Sequence, residues 1–235
     1  MTTRRDFIQM AAVSGGLVAM TRNPAPQGTP ASSTAPPLRI LILGGTSFIG
    51  PHQVRYALER GHSVTLFNRG RTNGHLFPEV EKLVGDRNDN LEALKGREWD
   101  VVIDNSASRP RWVREAAQLL AGHVDQYLFV STISVYADNS IVNMDEDGPL
   151  LTLENPTPEA LEDARANYGP LKALCEAEAE RAFPNRTTVV RPGLIVGPGD
   201  GTDRFTYWPV RIDRGGEILA PGDPTDAVQF VDARD

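Results

Sequence analysis

The sequence predicts an α/β domain built on a doubly wound parallel sheet. Three observations carry this reading. An apolar run of strand length, Leu38-Arg39-Ile40-Leu41-Ile42-Leu43, ends in Gly44-Gly45, as a parallel strand buried on both faces would. Further short apolar runs recur along the chain with helical patterns between them, the rhythm of right-handed crossovers. The composition, 40% hydrophobic and 23% charged over 235 residues, suits one full domain, or one domain plus part of a second. No apolar stretch approaches the ~18 residues of a membrane span. A net charge of −7 with only three lysines opposes a nucleic-acid partner, because binding phosphate backbones draws on clustered cations. Cys175 is the sole cysteine, which rules out an intrachain disulfide and a cysteine-based metal cluster; no metal site is expected.

In chain order, Thr3-Arg4-Arg5-Asp6-Phe7 leads into the mildly apolar Met10–Met20. Residues 1–20 resemble a bacterial twin-arginine signal, which implies the twin-arginine translocon as a partner during export and a periplasmic or cell-envelope location. The bland alternative is an amphipathic helix with a chance arginine pair in a cytoplasmic protein. No clear Ala-x-Ala cleavage site follows. Residues 21–37 are rich in Pro, Ala, Ser and Thr and read as a linker. Residues 1–37 hold three arginines (Arg4, Arg5, Arg22) and one acid (Asp6), so the remainder has 21 basic against 30 acidic groups, or −9.

Residues 38–200 carry the strand and helix alternation. After the first strand, Val54, Ala57 and Leu58 recur at helical spacing until Gly61 stops the helix. Strands follow at Val64–Phe67, Lys82–Val84, Val101–Ile103, Tyr127–Val130 and Thr187–Val190, with helices clearest at Trp112–Leu120 and Leu171–Phe183. Between the first strand and helix, Gly44-Gly45-Thr46-Ser47-Phe48-Ile49-Gly50 forms a turn whose glycines let backbone approach a pyrophosphate. The helix N-terminus beyond it offers free N–H groups and a positive dipole end. The second strand ends in Asn68-Arg69, where an acid would read a free ribose 2′-hydroxyl; a guanidinium pairs instead with a 2′-phosphate, so NADP is favoured over NAD.

The sharpest pattern is Tyr168-Gly169-Pro170-Leu171-Lys172. Pro170 fits a first helical turn, and Tyr168 and Lys172 at i and i+4 share a face. A phenol with pKa near ~10 is a poor base at neutral pH, and a nearby ammonium lowers that value. Tyr168 can then exchange a proton with a carbinol or carbonyl while a nicotinamide exchanges hydride.

These residues together resemble the NAD(P)-dependent epimerase/dehydratase family, in the extended or atypical branch of the short-chain dehydrogenase/reductases. The resemblance rests on Gly44–Gly50, Ser131–Tyr136, Tyr168/Lys172 and Arg191–Gly199, with Ser47 in place of the middle glycine of Gly-x-x-Gly-x-x-Gly. It implies a Rossmann sheet, and a dinucleotide held by Gly44, Ser47, Phe48, Ile49 and Gly50. Asn68 and Arg69 would stand at the ribose, with Asp86 and Arg87 at the adenine. Asn105 and Ser106 would pass under the cofactor, Arg109 would take the place of a phosphate-contacting lysine, and Ser131 and Pro192 would lie near the nicotinamide. It implies Thr132 as the third catalytic member beside Tyr168 and Lys172, which would hold the nicotinamide ribose. Thr132 is followed by Ile133-Ser134 where sugar 4,6-dehydratases carry Asp-Glu, so oxidoreduction or epimerisation fits better.

Residues 201–235, with Asp203-Arg204-Phe205-Thr206-Tyr207-Trp208, read as the start of a substrate lobe that resembles a C-terminally shortened one. The expected substrate is a small molecule, sugar-like or a nucleotide sugar, with a homodimer as a further expectation. The alternative is a non-catalytic nucleotide- or RNA-binding relative, since atypical members of the superfamily with a similar Gly-Gly-Thr-x-Phe-Ile-Gly turn include chloroplast stem-loop RNA-binding proteins.

Overall fold

The computed structural model describes residues 36–235 except Ser106, Pro224 and Ala227. The expected signal at residues 1–20 and nearly all of the linker at 21–37 lie outside the described residues. So does Ser106. Strand β1 spans Arg39–Leu43, followed by helix α1 (Gly50–Glu59), β2 (Ser63–Asn68), β3 (Glu81–Val84), β4 (Trp99–Asp104), α2 (Pro110–Leu120) and β5 (Val124–Val130). Then come α3 (Pro158–Glu162), α4 (Tyr168–Ala182), β6 (Thr187–Val190), β7 (Leu194–Val196), α5 (Tyr207–Asp213) and β8 (Phe230–Asp232). Strands β1 to β6 form one parallel sheet in the order β3-β2-β1-β4-β5-β6, and β7 pairs with β8 in parallel.

The alternation of β1 explains why the sheet is covered on both sides. Ile40 and Ile42 point to one face, where they pack with Val54 and Ala57 of α1 and with Val64, Leu66 and Val80. Leu41 and Leu43 point to the other, joining Val113, Ala116, Ala117 and Leu120 of α2 and Cys175, Ala179 and Phe183 of α4. Each fully buried Leu, Ile or Phe contributes roughly 1.5–3 kcal/mol relative to exposure. Helices α2 and α4 pack against each other on this second face, and the Phe183 and Tyr127 rings stand 5.0 Å apart.

The strand order reverses direction between β1 and β4, and there the loops after the two strands diverge. That divergence opens a crevice at the carboxyl ends of the sheet. Everything the site needs is delivered there: the glycine turn after β1, Asn105 after β4, the Ser131–Thr132 corner after β5 and Pro192 after β6. Strand β8 pairs with β7, so Phe230–Asp232 returns to the segment that follows β6. No helix among the described residues is long and apolar enough to cross a membrane.

Candidate active site

A cavity of about 930 Å³ runs along the carboxyl ends of the strands, from Arg69 and Arg71 at one end through the glycine turn to Tyr168 and Arg204 at the other. At its centre the turn is built as a cradle. Gly44 and Gly45 hold φ of 114° and 89°, which side-chain-bearing residues rarely adopt. A Cβ on Gly50 would stand 2.5 Å from the Cα of Gly45, so the helix start and the turn are in backbone contact. Phe48 adopts φ 36°, a left-handed conformation in a large side chain that the sequence gives no sign of. Helix α1 has no side-chain cap at Ile49, and the N–H groups of Thr46, Ser47, Phe48 and Ile49 find no acceptor among the described residues. An uncapped helix start with successive free N–H groups facing a cavity is an anion site.

At the adenosine end the expected residues divide. Arg69 lines the cavity, exposed and with no hydrogen bond or ion pair among the described residues, as does Arg71 two positions on. Asn68 is spent on local structure: its amide nitrogen donates to Gly44 O at 3.1 Å, and its oxygen accepts from Gly70 N at 2.8 Å. Asp86 accepts from Asn88 N at 3.0 Å and lines the cavity.

Arg87 lines the cavity beside Asp86 and also has a structural partner. Its guanidinium turns inward to Asp104, with Nη1 donating to Oδ2 at 2.9 Å, and Tyr127 Oη donates to the same carboxylate at 2.6 Å. All three are buried. Arg87 holds the Asp104 carboxyl below its ordinary range against the upward push of burial, while burial raises the Tyr127 phenol well above its ordinary value. Arg87 therefore braces the floor of the cavity, because burying the Asp104 charge without it would be costly. Asn105 is likewise fixed, in a reciprocal amide pair with Gln53 of α1. Arg109 stacks over Trp112 with its guanidinium carbon 4.5 Å from the ring centroid, and it pairs with Glu162 at 2.8 Å.

Of the three expected catalytic residues, Tyr168 and Thr132 line the cavity, while Lys172, one turn along α4 from Tyr168, is buried and does not. Helix α4 starts at Tyr168, and Gly169 is there because a Cβ would run into the Ser134 carbonyl oxygen. The first turn of α4 thus rests on the backbone of the 3₁₀ turn at Ile133–Val135. Thr132 caps that turn, accepting from Ser134 N at 3.2 Å, and both Thr132 and Tyr168 line the cavity. Tyr168 is 44% exposed. Its phenol stands above its ordinary value because partial burial outweighs the Arg204 charge and the Thr132 hydroxyl.

Lys172 is more deeply committed than expected. It is 3% exposed, donates to Ala107 O at 2.9 Å and Val130 O at 2.7 Å, and stands 4.0 Å from the Phe129 ring centroid. Burial lowers its pKa to about 8. Two of the three ammonium donors are used in this way. The expected lowering of the Tyr168 phenol by Lys172 is not what this arrangement produces; the cation favouring the phenolate is Arg204.

Sequence reasoning missed Glu176, one turn beyond Lys172 on the same face of α4. It is buried, accepts from the Ser131 hydroxyl and receives both Nε (3.1 Å) and Nη2 (2.8 Å) of Arg191. An acid in an alanine-rich stretch, at the spacing that already links Tyr168 and Lys172, was the available signal. Ser131 still lines the cavity, as does Pro192, whose carbonyl accepts from Ile133 N at 3.0 Å.

The cavity fits a dinucleotide. The uncapped cradle suits a pyrophosphate, Arg69 and Arg71, without a partner among the described residues, suit an anionic ribose end, and Tyr168 and Thr132 line the far end. The fold is that of an α/β protein of the Rossmann type. Residues 40–235 match the NAD dependent epimerase/dehydratase family, and the chain belongs to it.

Among curated proteins it is 30% identical over 189 residues to the chloroplast stem-loop binding protein of 41 kDa b from Arabidopsis thaliana, covering 74% of this chain and 46% of that protein. It is 29% identical over 191 residues to a 2-alkyl-3-oxoalkanoate reductase from Stenotrophomonas maltophilia, covering 69% and 52%. The chain thus spans about half the length of these relatives. Among solved structures, UDP-N-acetylglucosamine 4-epimerase from Bacillus cereus aligns with a TM-score of 0.62 at 18% identity, covering 84% of this chain and 68% of that one. The Bordetella bronchiseptica enzyme WbmH in complex with NAD+ aligns with a TM-score of 0.63 at 19% identity, covering 84% and 68%. These likenesses establish the fold.

Proposed function

We propose that the chain is an NAD(P)-dependent oxidoreductase or epimerase acting on a carbinol or carbonyl of a sugar-like or nucleotide-sugar substrate. The observation that carries this is the continuity of one cavity from the uncapped glycine cradle to the Tyr168/Thr132 corner. Relatives point the same way, one being a reductase and the solved neighbours including UDP-sugar epimerases. A bound nicotinamide would supply hydride exchange. The protein's share is proton management and positioning. Tyr168, a phenol that partial burial keeps above its ordinary value, donates a proton to a carbonyl oxygen, and Thr132 hydrogen-bonds the same oxygen. Lys172 braces the β5 end through Val130. Arg69 and Arg71 favour the 2′-phosphate of NADP.

Tyr168→Phe tests the assignment. It should retain NADPH binding and lose about 10²–10⁴-fold in turnover of any carbonyl substrate, the span of general acid–base catalysis. Unchanged turnover would remove Tyr168 from the mechanism. The pH signature follows from the raised phenol: carbonyl reduction holds its rate across neutral pH and falls only at alkaline pH, whereas carbinol oxidation rises there.

A second reading is binding without catalysis, favoured by the 30% identity to a stem-loop binding protein. The charge of −7 weighs against it, and a salt-dependent RNA gel shift would establish it. We also propose that Arg4-Arg5 directs export by the twin-arginine route, the nucleotide being carried in the folded protein. Arg4→Lys/Arg5→Lys should leave the protein in the cytoplasmic fraction, and unchanged export would refute it.

A further inference from the structure

Helix α4 presents Tyr168, Lys172 and Glu176 on one face at successive four-residue spacing, and the lower two fasten it to three adjacent strand ends. Lys172 donates to Ala107 O, beyond β4, and to Val130 O at the end of β5. Glu176, 3% exposed, accepts from the Ser131 hydroxyl just past β5 and takes the Arg191 guanidinium just past β6 in a two-pronged pair. Arg191 extends the clamp, its Nη1 donating to Tyr136 Oη at 3.0 Å and to Glu146 O at 2.9 Å. The residues tied this way are the immediate neighbours of two that line the cavity: Ser131 precedes Thr132, and Arg191 precedes Pro192. Backbone bonds of 2.7 Å from Ser131 N to Val190 O and 3.0 Å from Ile133 N to Pro192 O complete the bracket.

We propose that Glu176 is a positioning residue for the nicotinamide half of the site: a single buried carboxylate sets the spacing between the Ser131–Thr132 corner and the Arg191–Pro192 segment. The proposal rests on the dinucleotide reading of the cavity. Glu176 touches neither the glycine cradle nor Arg69, so its influence should stop short of the adenosine half. A residue that merely stabilised the fold would show no such boundary.

The test is a binding split in the full chain, read by titration with two probe pairs: NADPH against 2′-phospho-ADP-ribose, and NADH against ADP-ribose. The second member of each pair lacks the nicotinamide. Glu176→Gln should weaken the nicotinamide-bearing probe by about tenfold, the scale of losing a charge-assisted hydrogen bond, while the truncated probe stays within about twofold. Ser131→Ala should show the same split at smaller size. Should Glu176→Gln fail to fold, Glu176→Gln/Arg191→Gln removes both charges of the pair and is held to the same split. Equal losses for both members of a pair, or no change in either, would overturn the proposal. A wild-type chain that binds none of the four probes overturns the dinucleotide reading itself, a pattern distinct from failure of Glu176 alone.

Discussion

Replacing Lys172 by methionine removes an ammonium that the fold holds at a cost. Burial brings its pKa from the ordinary 10.5 to about 8. Below pH 8 both folded and unfolded chains carry the proton, and the folded chain bears the full penalty. Between pH 8 and 10.5 the folded chain has released the proton and the unfolded chain still binds it, so stability rises with pH; above 10.5 the penalty is gone. At ~1.4 kcal/mol per pH unit the whole window is worth about 3 kcal/mol, of which about 2 kcal/mol falls between pH 7.5 and pH 10. Methionine also strands the carbonyls of Ala107 and Val130, but that loss does not depend on pH. Cys175, whose thiol burial pushes up to about 12, adds an opposite slope common to both proteins, and it cancels in the difference. Urea unfolding of nucleotide-free wild type and Lys172→Met at the two pH values is the assay. Relative to wild type, Lys172→Met should be the more stable at pH 7.5 by about 2 kcal/mol more than at pH 10, a change of about 1 M in the separation of midpoints. A separation that stays constant, or moves the other way, would refute the placement of a strained ammonium beneath the site.

Three further outcomes are expected. Arg87→Met strips the partner from the buried Asp104 and should cost about 3–5 kcal/mol in urea unfolding; a loss below ~1 kcal/mol would mean that Asp104 is not held as an anion. Gly169→Ala drives a methyl group into the Ser134 carbonyl, so it should destabilise by about 1–3 kcal/mol, where helix propensity alone would favour alanine. Unchanged melting would show that α4 does not rest on the turn. Arg69→Glu should move nucleotide preference from NADPH toward NADH by roughly tenfold or more in paired titrations, because a carboxylate repels a 2′-phosphate and accepts from a free hydroxyl. An unaltered ratio would place the ribose elsewhere.

The elements of the sheet were legible wherever burial writes a local pattern. β1 reads as an apolar run because both its faces are covered, and the glycine turn reads because two positive-φ positions and a backbone contact demand glycine. The Tyr168/Lys172 pair was visible as a spacing. Less visible were features whose meaning depends on distant partners. Asp104 closes a strand with nothing local to show that Arg87, which also lines the cavity, neutralises it. Glu176 and Arg191 are 15 residues apart and meet only when β6 is laid beside β5. Strands β7 and β8, three residues each and more than thirty residues apart, carry no periodicity long enough to read. Lys172 was expected to act on Tyr168, but its first obligation is to two carbonyls at the strand ends, which spacing on one helix cannot reveal.

The central claim is that the cavity from Arg69 to Tyr168 holds a nicotinamide dinucleotide. The direct measurement is to purify the full chain, incubate portions with NADP, with NAD and with neither, remove free nucleotide, denature, and identify what is released by mass. The expected result is near one equivalent of a nicotinamide dinucleotide in at least one loaded portion, with NADP retained over NAD. Release of no dinucleotide from any portion would contradict the account and leave the uncapped cradle without the ligand argued for it.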